Sequence, residues 1–204
     1  MDNSNIYIDY KSQLQNLKEI VNNVNLSSIS EEPDMFFVDN INFFTKSFLI
    51  NLCAYLESFL KDITFSCIES INDKIEEKQI PYNLILWALN YNKDIKEKDF
   101  KYESLKIGIK KKDLDDHISG NPYRTVKLLR NIGLNIESFQ EFQDKKESIN
   151  MIVNKRNKIL HYNDSASDLS LTDIIDYIAQ VDDYMKLLDI KLEEHKNNSC
   201  QHAI

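Results

Sequence analysis

Residues 39–74 read DNINFFTKSFLINLCAYLESFLKDITFSCIESINDK, about 35 residues with neither glycine nor proline. Wound at about 3.6 residues per turn, this stretch places apolar side chains over most of the helix circumference. A helix that is apolar on most sides is stable in water only when other elements surround it. The stretch therefore predicts a long central helix and, around it, an all-α bundle.

The composition favours the same fold class. The chain has 204 residues, is 42% apolar, and contains only three glycines and three prolines. So few turn-forming residues leave little scope for the many turns of a β-sandwich or barrel. The length is sufficient for one domain with a substantial core. We expect a bundle of five or more helices.

Two apolar segments flank the central helix and predict further helices. Residues 7–27 carry apolar side chains at alternating steps of three and four, which is one seam of a helix. The segment IPYNLILWALNY (80–91) is interpreted as a short helix that Pro81 opens. Its apolar residues are expected in the core; they are Leu84, Ile85, Trp87 and Leu89.

The second half of the chain carries clear helix signals. Asn121 is a suitable N-cap for a helix that starts at Pro122, and Gly133 is its expected terminator. A further helix is predicted from about residue 137 or 144 to residue 162. Ser170 then caps a last, amphipathic helix.

These helices imply a division of the chain into three parts. Residues 1–35 contain an N-terminal helix packed on the bundle, and residues 36–197 form the main helical domain. An irregular, charge-rich insertion interrupts that domain at about residues 92–118. Residues 198–204 are expected to be a disordered tail.

The charge pattern limits the possible partners. A net charge of −8 argues against general capture of nucleic acid, so a site for a polyanion must be local. The basic run KIGIKKKD (106–113) either contacts an RNA backbone or, more simply, forms a solvated loop. The N-terminal residues show no secretory signal, and LILWAL (84–89) is too short to span a bilayer. We expect a cytoplasmic protein with reduced cysteines and no membrane contact.

The segment VNKRNKILHYND (153–164) contains the residues most suggestive of chemistry. On a helical wheel, Arg156 falls roughly 20° from Ile149, at the centre of the apolar arc. Asn157 and His161 lie in a polar stripe beside that arc. A guanidinium in this position must be paired or must line a cavity or interface, because its unpaired burial costs several kcal/mol. Arginine binds phosphate oxygens and histidine transfers protons near pH 7, which together suit phosphodiester chemistry.

Structural explanations remain open for the same residues. Arg156 could form a structural ion pair or extend its stem past the core, and His161 could simply favour the helix dipole. Glu57 lies on the central helix among small or apolar side chains, so this carboxylate needs a cation. Arg156 is one candidate, and Lys61, one turn further along the helix, is the other.

Three segments resemble a known family. RNKILH (156–161) resembles the R-x4–6-H signature of the HEPN ribonuclease superfamily, in which a polar residue such as Asn157 usually follows the arginine. LINLCAYLESFLKDI (49–63) is similar to the long second helix of standalone bacterial HEPN proteins, and its Glu57 matches their acidic residue. GNPYRTVKLLRNIGL (120–134) is similar to the corresponding segment of the RiboL-PSP branch. The likeness covers roughly residues 40–190.

The resemblance implies an HEPN-like bundle that forms a homodimer, with two R-x4-H motifs meeting in one composite site. It implies metal-independent cleavage of RNA, in which the 2′-hydroxyl attacks phosphorus and leaves a 2′,3′-cyclic phosphate. His161 would be the general base or acid, and Arg156 would stabilise the transition state. Asn157 would orient the imidazole or contact a phosphate, and Glu57 would hold Arg156.

Such proteins often serve as toxins of toxin–antitoxin pairs or as effectors of phage defence. A protein antitoxin or defence component is therefore a further expected partner. In a related toxin class, a modified tyrosine follows the histidine after one residue. Here Tyr162 follows directly and Asn163 occupies that place, so this regulation is not carried over.

Two other classes of function stay open. A non-catalytic, partner-binding or regulatory module of a toxin–antitoxin or defence system would keep the fold, and the acidic net charge favours it. A metal protein is the third class, although His195, Cys200 and His202 lack the second ligand pair of a zinc site. No metal or other cofactor is expected.

Overall fold

The computed structural model describes residues 3–91, 93–162 and 168–198. These ranges contain α1 (Asn5–Ile29), α2 (Met35–Asp39), α3 (Ile41–Glu77), α4 (Tyr82–Leu89), α5 (Pro122–Asn131), α6 (Gln140–Tyr162) and α7 (Leu171–Asn198). Three short 3-10 turns lie at Glu97–Asp99, Lys111–Leu114 and Ile136–Ser138. No strand occurs within the described ranges, which confirms the all-α prediction. The predicted tail lies outside them from residue 199 onward.

The predicted central helix is α3. It packs against α1, α6 and α7, and the side chains of Leu49, Leu52 and Leu56 are fully buried. One continuous hydrophobic cluster joins these four helices with α5. Because three long helices cover α3, an apolar surface around most of its circumference is stable. None of the described helices combines the length and apolarity needed to cross a bilayer.

Polar side chains fix α1 against α7. The Ser4 hydroxyl caps α1 by accepting the Tyr7 N–H at 3.1 Å, while the Ser4 N–H donates to Oδ2 of Asp189 at 2.9 Å. Asp189 is only 1% exposed. The Tyr7 hydroxyl donates to Oδ1 of Asp182 at 2.8 Å. These bonds fix how α1 docks along α7, because a shift of either helix would leave buried polar groups unpaired.

The predicted N-cap, first residue and terminator of α5 are confirmed. The Asn121 side chain accepts the N–H groups of Tyr123, at 2.9 Å, and Arg124, at 3.3 Å. Pro122 occupies the first helical position. Gly133 follows the helix with a φ of +84°, a left-handed conformation that glycine adopts without steric penalty. Local chemistry alone therefore determines both ends of α5.

The expected burial of α4 is wrong. Trp87 is 56% exposed, Leu84 is 51% exposed and Leu89 is 80% exposed, and no residue of α4 is buried. The predicted short helix itself is present, with Pro81 at its N-cap. None of the tightly packed helix pairs in the described chain includes α4, whose main partner is the following segment: the Tyr82 N–H donates to the Glu103 carbonyl at 3.0 Å. Among the described residues, no second layer covers the apolar surface of α4.

The segment after α4 is irregular and is tied to α3. The Ile107 N–H donates to Oδ1 of Asn72 at 2.7 Å, and Lys111 forms a 2.8 Å ion pair with Asp62. Gly108 and Lys110 are exposed, as expected of a solvated loop. These anchors hold the loop along the surface of α3.

We expect Asp173→Ala to lower stability at neutral pH by about 0.5–1 kcal/mol. Ser170 caps α7, and its N–H and hydroxyl both donate to Oδ2 of Asp173, at 2.8 and 2.7 Å. These hydrogen bonds lower the pKa of the Asp173 carboxyl. The stabilisation that the Asp173 carboxylate provides is therefore complete when the pH is above the ordinary carboxyl pKa. It is lost as the pH falls through the lowered pKa of Asp173.

Urea unfolding between pH 7 and pH 2 measures this effect. The difference between wild type and Asp173→Ala should shrink below about pH 4. Asp176→Ala, an exposed aspartate one turn along α7, is the matched control and should show a much smaller effect at every pH. A difference that stays constant down to pH 2 would contradict the assignment.

Candidate functional site

Arg156 of α6 and Glu57 of α3 form an ion pair in which Nη2 of the arginine contacts Oε1 of the glutamate. The Arg156 side chain is 15% exposed and the Glu57 side chain 32% exposed. Lys61, the alternative partner, instead pairs with Asp115. The sequence left the choice between these cations open, and the structure places Arg156 against Glu57. The guanidinium in the apolar arc is therefore paired, as its burial requires.

The backbone of Gly120 completes this arrangement. Its N–H donates to the same Oε1 of Glu57, at 3.2 Å. Gly120 is buried immediately before the N-cap of α5, and the close approach leaves little room for a side chain. A Cβ at this position would lie 3.1 Å from Cγ2 of Val153 and 3.3 Å from Cδ2 of Leu56. Glu57 is thus held from two sides, and it in turn fixes one edge of the guanidinium.

We expect Gly120→Val to lower the free energy of unfolding by about 1–3 kcal/mol, because the added methyl groups would overpack the junction of α3, α5 and α6. The substitution also moves the N–H donor away from Glu57. Urea unfolding measures the loss. Gly108→Val is the matched control, since a Cβ there meets nothing within 4 Å. Equal effects of the two substitutions would show that the close packing at Gly120 is unimportant.

Cys53, one turn before Glu57 on α3, lies beside the Arg156 guanidinium. Burial raises the pKa of its thiol to about 11, and the neighbouring positive charge offsets that shift only in part. Cys53 is therefore a neutral thiol at pH 7 and acts as a small apolar wall. Nε of Arg156 is buried and has no hydrogen-bond partner among the described residues.

The polar stripe on α6 contains linked amides. Nδ2 of Asn121 donates to Oδ1 of Asn150 at 3.1 Å, and Nδ2 of Asn154 donates to the same oxygen at 3.2 Å. A groove of about 480 Å³ between α6 and α7 runs past Asn150 and Asn154. Arg156, Asn157 and His161 do not line it. This part of the stripe thus joins α5 to α6 and borders an open groove.

Asn157 and His161 lie towards the end of α6, which ends at Tyr162. Asn157 is half-buried, whereas His161 is exposed. One helical turn separates these two residues, so they share a face. Arg156 and His161 are about 140° apart and about 7.5 Å apart along the axis. One protomer therefore presents the arginine and the histidine on different faces of α6. Asn163, the other position discussed beside the histidine, lies outside the described residues.

Within the described ranges, no group of three or more His, Cys, Asp or Glu side chains is arranged to hold a metal ion. Cys200 and His202 lie outside those ranges. The sequence indicates Glu57 and Arg156 as site residues. It does not indicate that the Gly120 N–H binds Glu57, or that Asn121 ties α5 to Asn150 of α6. A backbone N–H donor has no sequence signature. The glycine directly before a helix N-cap, in GNP, was the only available signal.

Glu57, Gly120 and Arg156 all lie within the range of one family match. The model of the RiboL-PSP-HEPN family matches residues 7–194. This range begins within α1 and ends within α7, so it includes α2 to α6 whole and most of α1 and α7. No curated protein and no solved structure shows a significant match to the chain. The family match covers more than nine-tenths of this chain, and the chain therefore belongs to the RiboL-PSP-HEPN family.

Proposed function

We propose that this protein is a cytoplasmic, metal-independent endoribonuclease that acts as a toxin or as an effector of anti-phage defence. Its site would be composite, with Arg156 and His161 of two protomers facing each other in a homodimer. RNA would be its substrate, and a protein antitoxin or another defence component would be its regulator. The observation that carries this proposal is the ion pair that fixes Arg156 on α6, the helix that also carries an exposed His161 five residues further on, in a chain of this family.

The pair between Arg156 and Glu57 supports a catalytic role because it preorganises the guanidinium. Glu57 engages Nη2 on one edge of the guanidinium fork. The Nη N–H groups that Glu57 does not occupy, rather than the buried Nε, are the donors that an RNA phosphate would use as negative charge develops on its oxygens. A guanidinium that is already fixed and largely desolvated needs little rearrangement to stabilise that charge.

His161 would perform the proton transfers. As a base, its imidazole would take the proton of the ribose 2′-hydroxyl while O2′ attacks the phosphorus. The bond from phosphorus to O5′ then breaks, and O5′ receives a proton from an imidazole acting as an acid. The products are a 2′,3′-cyclic phosphate and a free 5′-hydroxyl. Asn157, on the same face as His161, would orient the imidazole or bind a phosphate oxygen.

The separation of Arg156 from His161 within one protomer explains why the proposal needs two copies. The two side chains are about 140° apart around α6, so one protomer cannot easily direct both at one phosphate. A two-fold axis near the end of α6 would bring the histidine of each copy towards the arginine of the other. Sedimentation or light scattering of the purified protein should therefore report a dimer.

Incubation of RNA with the purified protein in EDTA tests the reaction. We expect products with 2′,3′-cyclic phosphate and 5′-hydroxyl ends, and no cleavage of the same sequence made entirely of 2′-O-methyl nucleotides. Arg156→Ala and His161→Ala variants, purified in the same way, control for a contaminating ribonuclease. Cleavage of the 2′-O-methyl substrate, or full activity in both variants, would overturn the assignment.

A second candidate is a non-catalytic member of the same fold that regulates a partner in a toxin–antitoxin or defence system. The neutralisation of the Arg156 charge by Glu57 within one protomer favours it, since an ion pair of this kind also occurs as a purely structural feature. The acidic net charge of the chain favours it as well. Growth arrest on expression of the wild type, relieved by His161→Ala, would support the enzyme instead.

A further inference from the structure

Positive charge is concentrated in one part of this acidic protein. Residues 106–131 contain seven lysines and arginines against three aspartates, a formal charge of +4, whereas the whole chain carries −8. The window covers the loop along α3 and all of α5. A polyanion approaching the protein would be repelled by most of its surface and attracted to this region.

A groove of about 250 Å³ lies within this region, on the exposed face of α5. His117, Arg124, Lys127, Leu128 and Asn131 line it. Arg124, Lys127 or Leu128, and Asn131 follow one another at steps of three or four positions, so the four residues form one continuous stripe along the helix. Leu128 is buried and forms the apolar floor, while the charged and polar groups surround it.

Neither Arg124 nor Lys127 has an acidic ion-pair partner in the part of the chain that the structure describes. Other basic residues of the window are in ion pairs: Lys106 with Glu76, Lys111 with Asp62, and Arg130 with Glu137. By contrast, the Arg124 guanidinium donates at 2.9 Å to the carbonyl oxygen of Asp116, a neutral acceptor that positions it without removing its charge. Lys127 has no ion pair among the described residues. Two full positive charges thus remain available in one groove.

The groove is connected to the candidate site through the start of α5. Arg124 lies in the first turn of α5, four residues after Gly120, and the Gly120 N–H binds Glu57. Asn121, between them, donates to Asn150 of α6. A chain that places one phosphate at Arg156 could therefore pass along α5 within a few nucleotides.

We infer that this groove is a phosphate-binding subsite for single-stranded RNA, in which Arg124 and Lys127 hold backbone phosphates next to the cleaved bond. The inference rests on the proposed function for its substrate, and it assigns to α5 a role in binding rather than in chemistry. Arginine and lysine that face a common groove without acidic partners are the pattern that tracks a nucleic-acid backbone. Such contacts bind phosphates of any sequence, so the groove would add affinity and orientation without base specificity.

Binding of a fluorescein-labelled 2′-O-methyl RNA of about twenty nucleotides, followed by anisotropy, tests the inference. This ligand lacks the nucleophilic hydroxyl, so binding is measured without cleavage. We expect the double variant Arg124→Gln/Lys127→Gln to bind about tenfold more weakly at low salt. The slope of log K against log [salt] should become shallower by about 1.4, because each lost phosphate contact contributes about 0.7 for a single strand.

Lys18→Gln/Lys186→Gln is the matched control, because it removes two positive charges from exposed positions on α1 and α7. It should leave both the affinity and the slope nearly unchanged. Equal losses in the two double variants would show a non-specific charge effect and overturn the inference. So would wild-type protein that does not bind the RNA, or AMP that displaces it at micromolar concentration, since AMP would indicate a mononucleotide pocket.

The cleavage assay separates this inference from the proposed function. If wild type cleaves RNA and the α5 variant binds and cleaves equally well, the subsite is wrong and the endoribonuclease assignment survives. If the protein cleaves no RNA but binds it through Arg124 and Lys127, the subsite stands and the catalytic assignment fails.

Discussion

Replacement of Glu57 by glutamine is expected to lower the free energy of unfolding by about 2 kcal/mol and to reduce RNA cleavage at least tenfold. The Arg156 side chain is 15% exposed and its Nη2 contacts Glu57. Glutamine has a similar shape but no charge, so the guanidinium would stay largely desolvated without a counter-ion. It would also be free to move away from the position that the Glu57 carboxylate now fixes.

The variant pair Glu57→Gln and Arg156→Met distinguishes a structural from a catalytic arginine. Combined, the two substitutions should be less destabilising than the sum of the single effects by about 1–3 kcal/mol, since the double variant buries no uncompensated charge. Cleavage should nevertheless remain lost in the double variant. If Arg156 only supports the fold, the regained stability would bring back the activity, and the catalytic assignment would fail.

Asp115→Asn provides the matched control for this experiment. It also removes a carboxylate from an ion pair with α3, namely the pair with Lys61, but the Asp115 side chain is 60% exposed. An exposed pair contributes less than about 1 kcal/mol, because water solvates both ions well when they separate. Urea unfolding and RNA cleavage should therefore show only small changes. A loss as large as that of Glu57→Gln would mean that burial of Arg156 is not the cause.

The features that local chemistry determines could be predicted from the sequence. The cap of α5 at Asn121 and its termination at Gly133 depend on residues within one turn, and both are present. The approach of Glu57 to Arg156 was also accessible, because each residue interrupts an apolar surface of its own helix and a buried charge needs a partner. The helical periodicity places Glu57 and Arg156 each on the apolar face of its own helix.

The features that depend on distant packing could not be predicted. Trp87 lies in an apolar segment, but its burial requires a second layer of structure. The sequence of α4 does not show whether the described chain supplies that layer. Gly120 contacts Glu57 across 63 positions of sequence through its backbone N–H, which every residue except proline possesses. The pairing of Lys61 with Asp115 depends on how the segment before α5 lies along α3. Each of these outcomes is decided by the tertiary arrangement.

Replacement of His161 by alanine is expected to reduce RNA cleavage by about 10²–10⁴-fold, the usual contribution of a general acid or base. Unlike Arg156, His161 is exposed, so the free energy of unfolding should change by less than about 1 kcal/mol, the most that a charge near the end of a surface helix usually contributes. Activity and stability should thus separate at His161, whereas they change together when Glu57 is substituted.

Imidazole added to the buffer gives the sharpest measurement of this role. The shortened side chain leaves space beside Asn157, on an exposed face of α6, where a small base can enter from solvent. We expect millimolar imidazole to restore part of the cleavage by His161→Ala but none of the cleavage by Arg156→Ala, whose missing group is a fixed charge rather than a proton carrier. Equal rescue of both variants, or no rescue of a folded His161→Ala variant, would count against proton transfer by His161. Rescue confined to His161→Ala would assign proton transfer to His161 and leave Arg156 as the group that stabilises the phosphate.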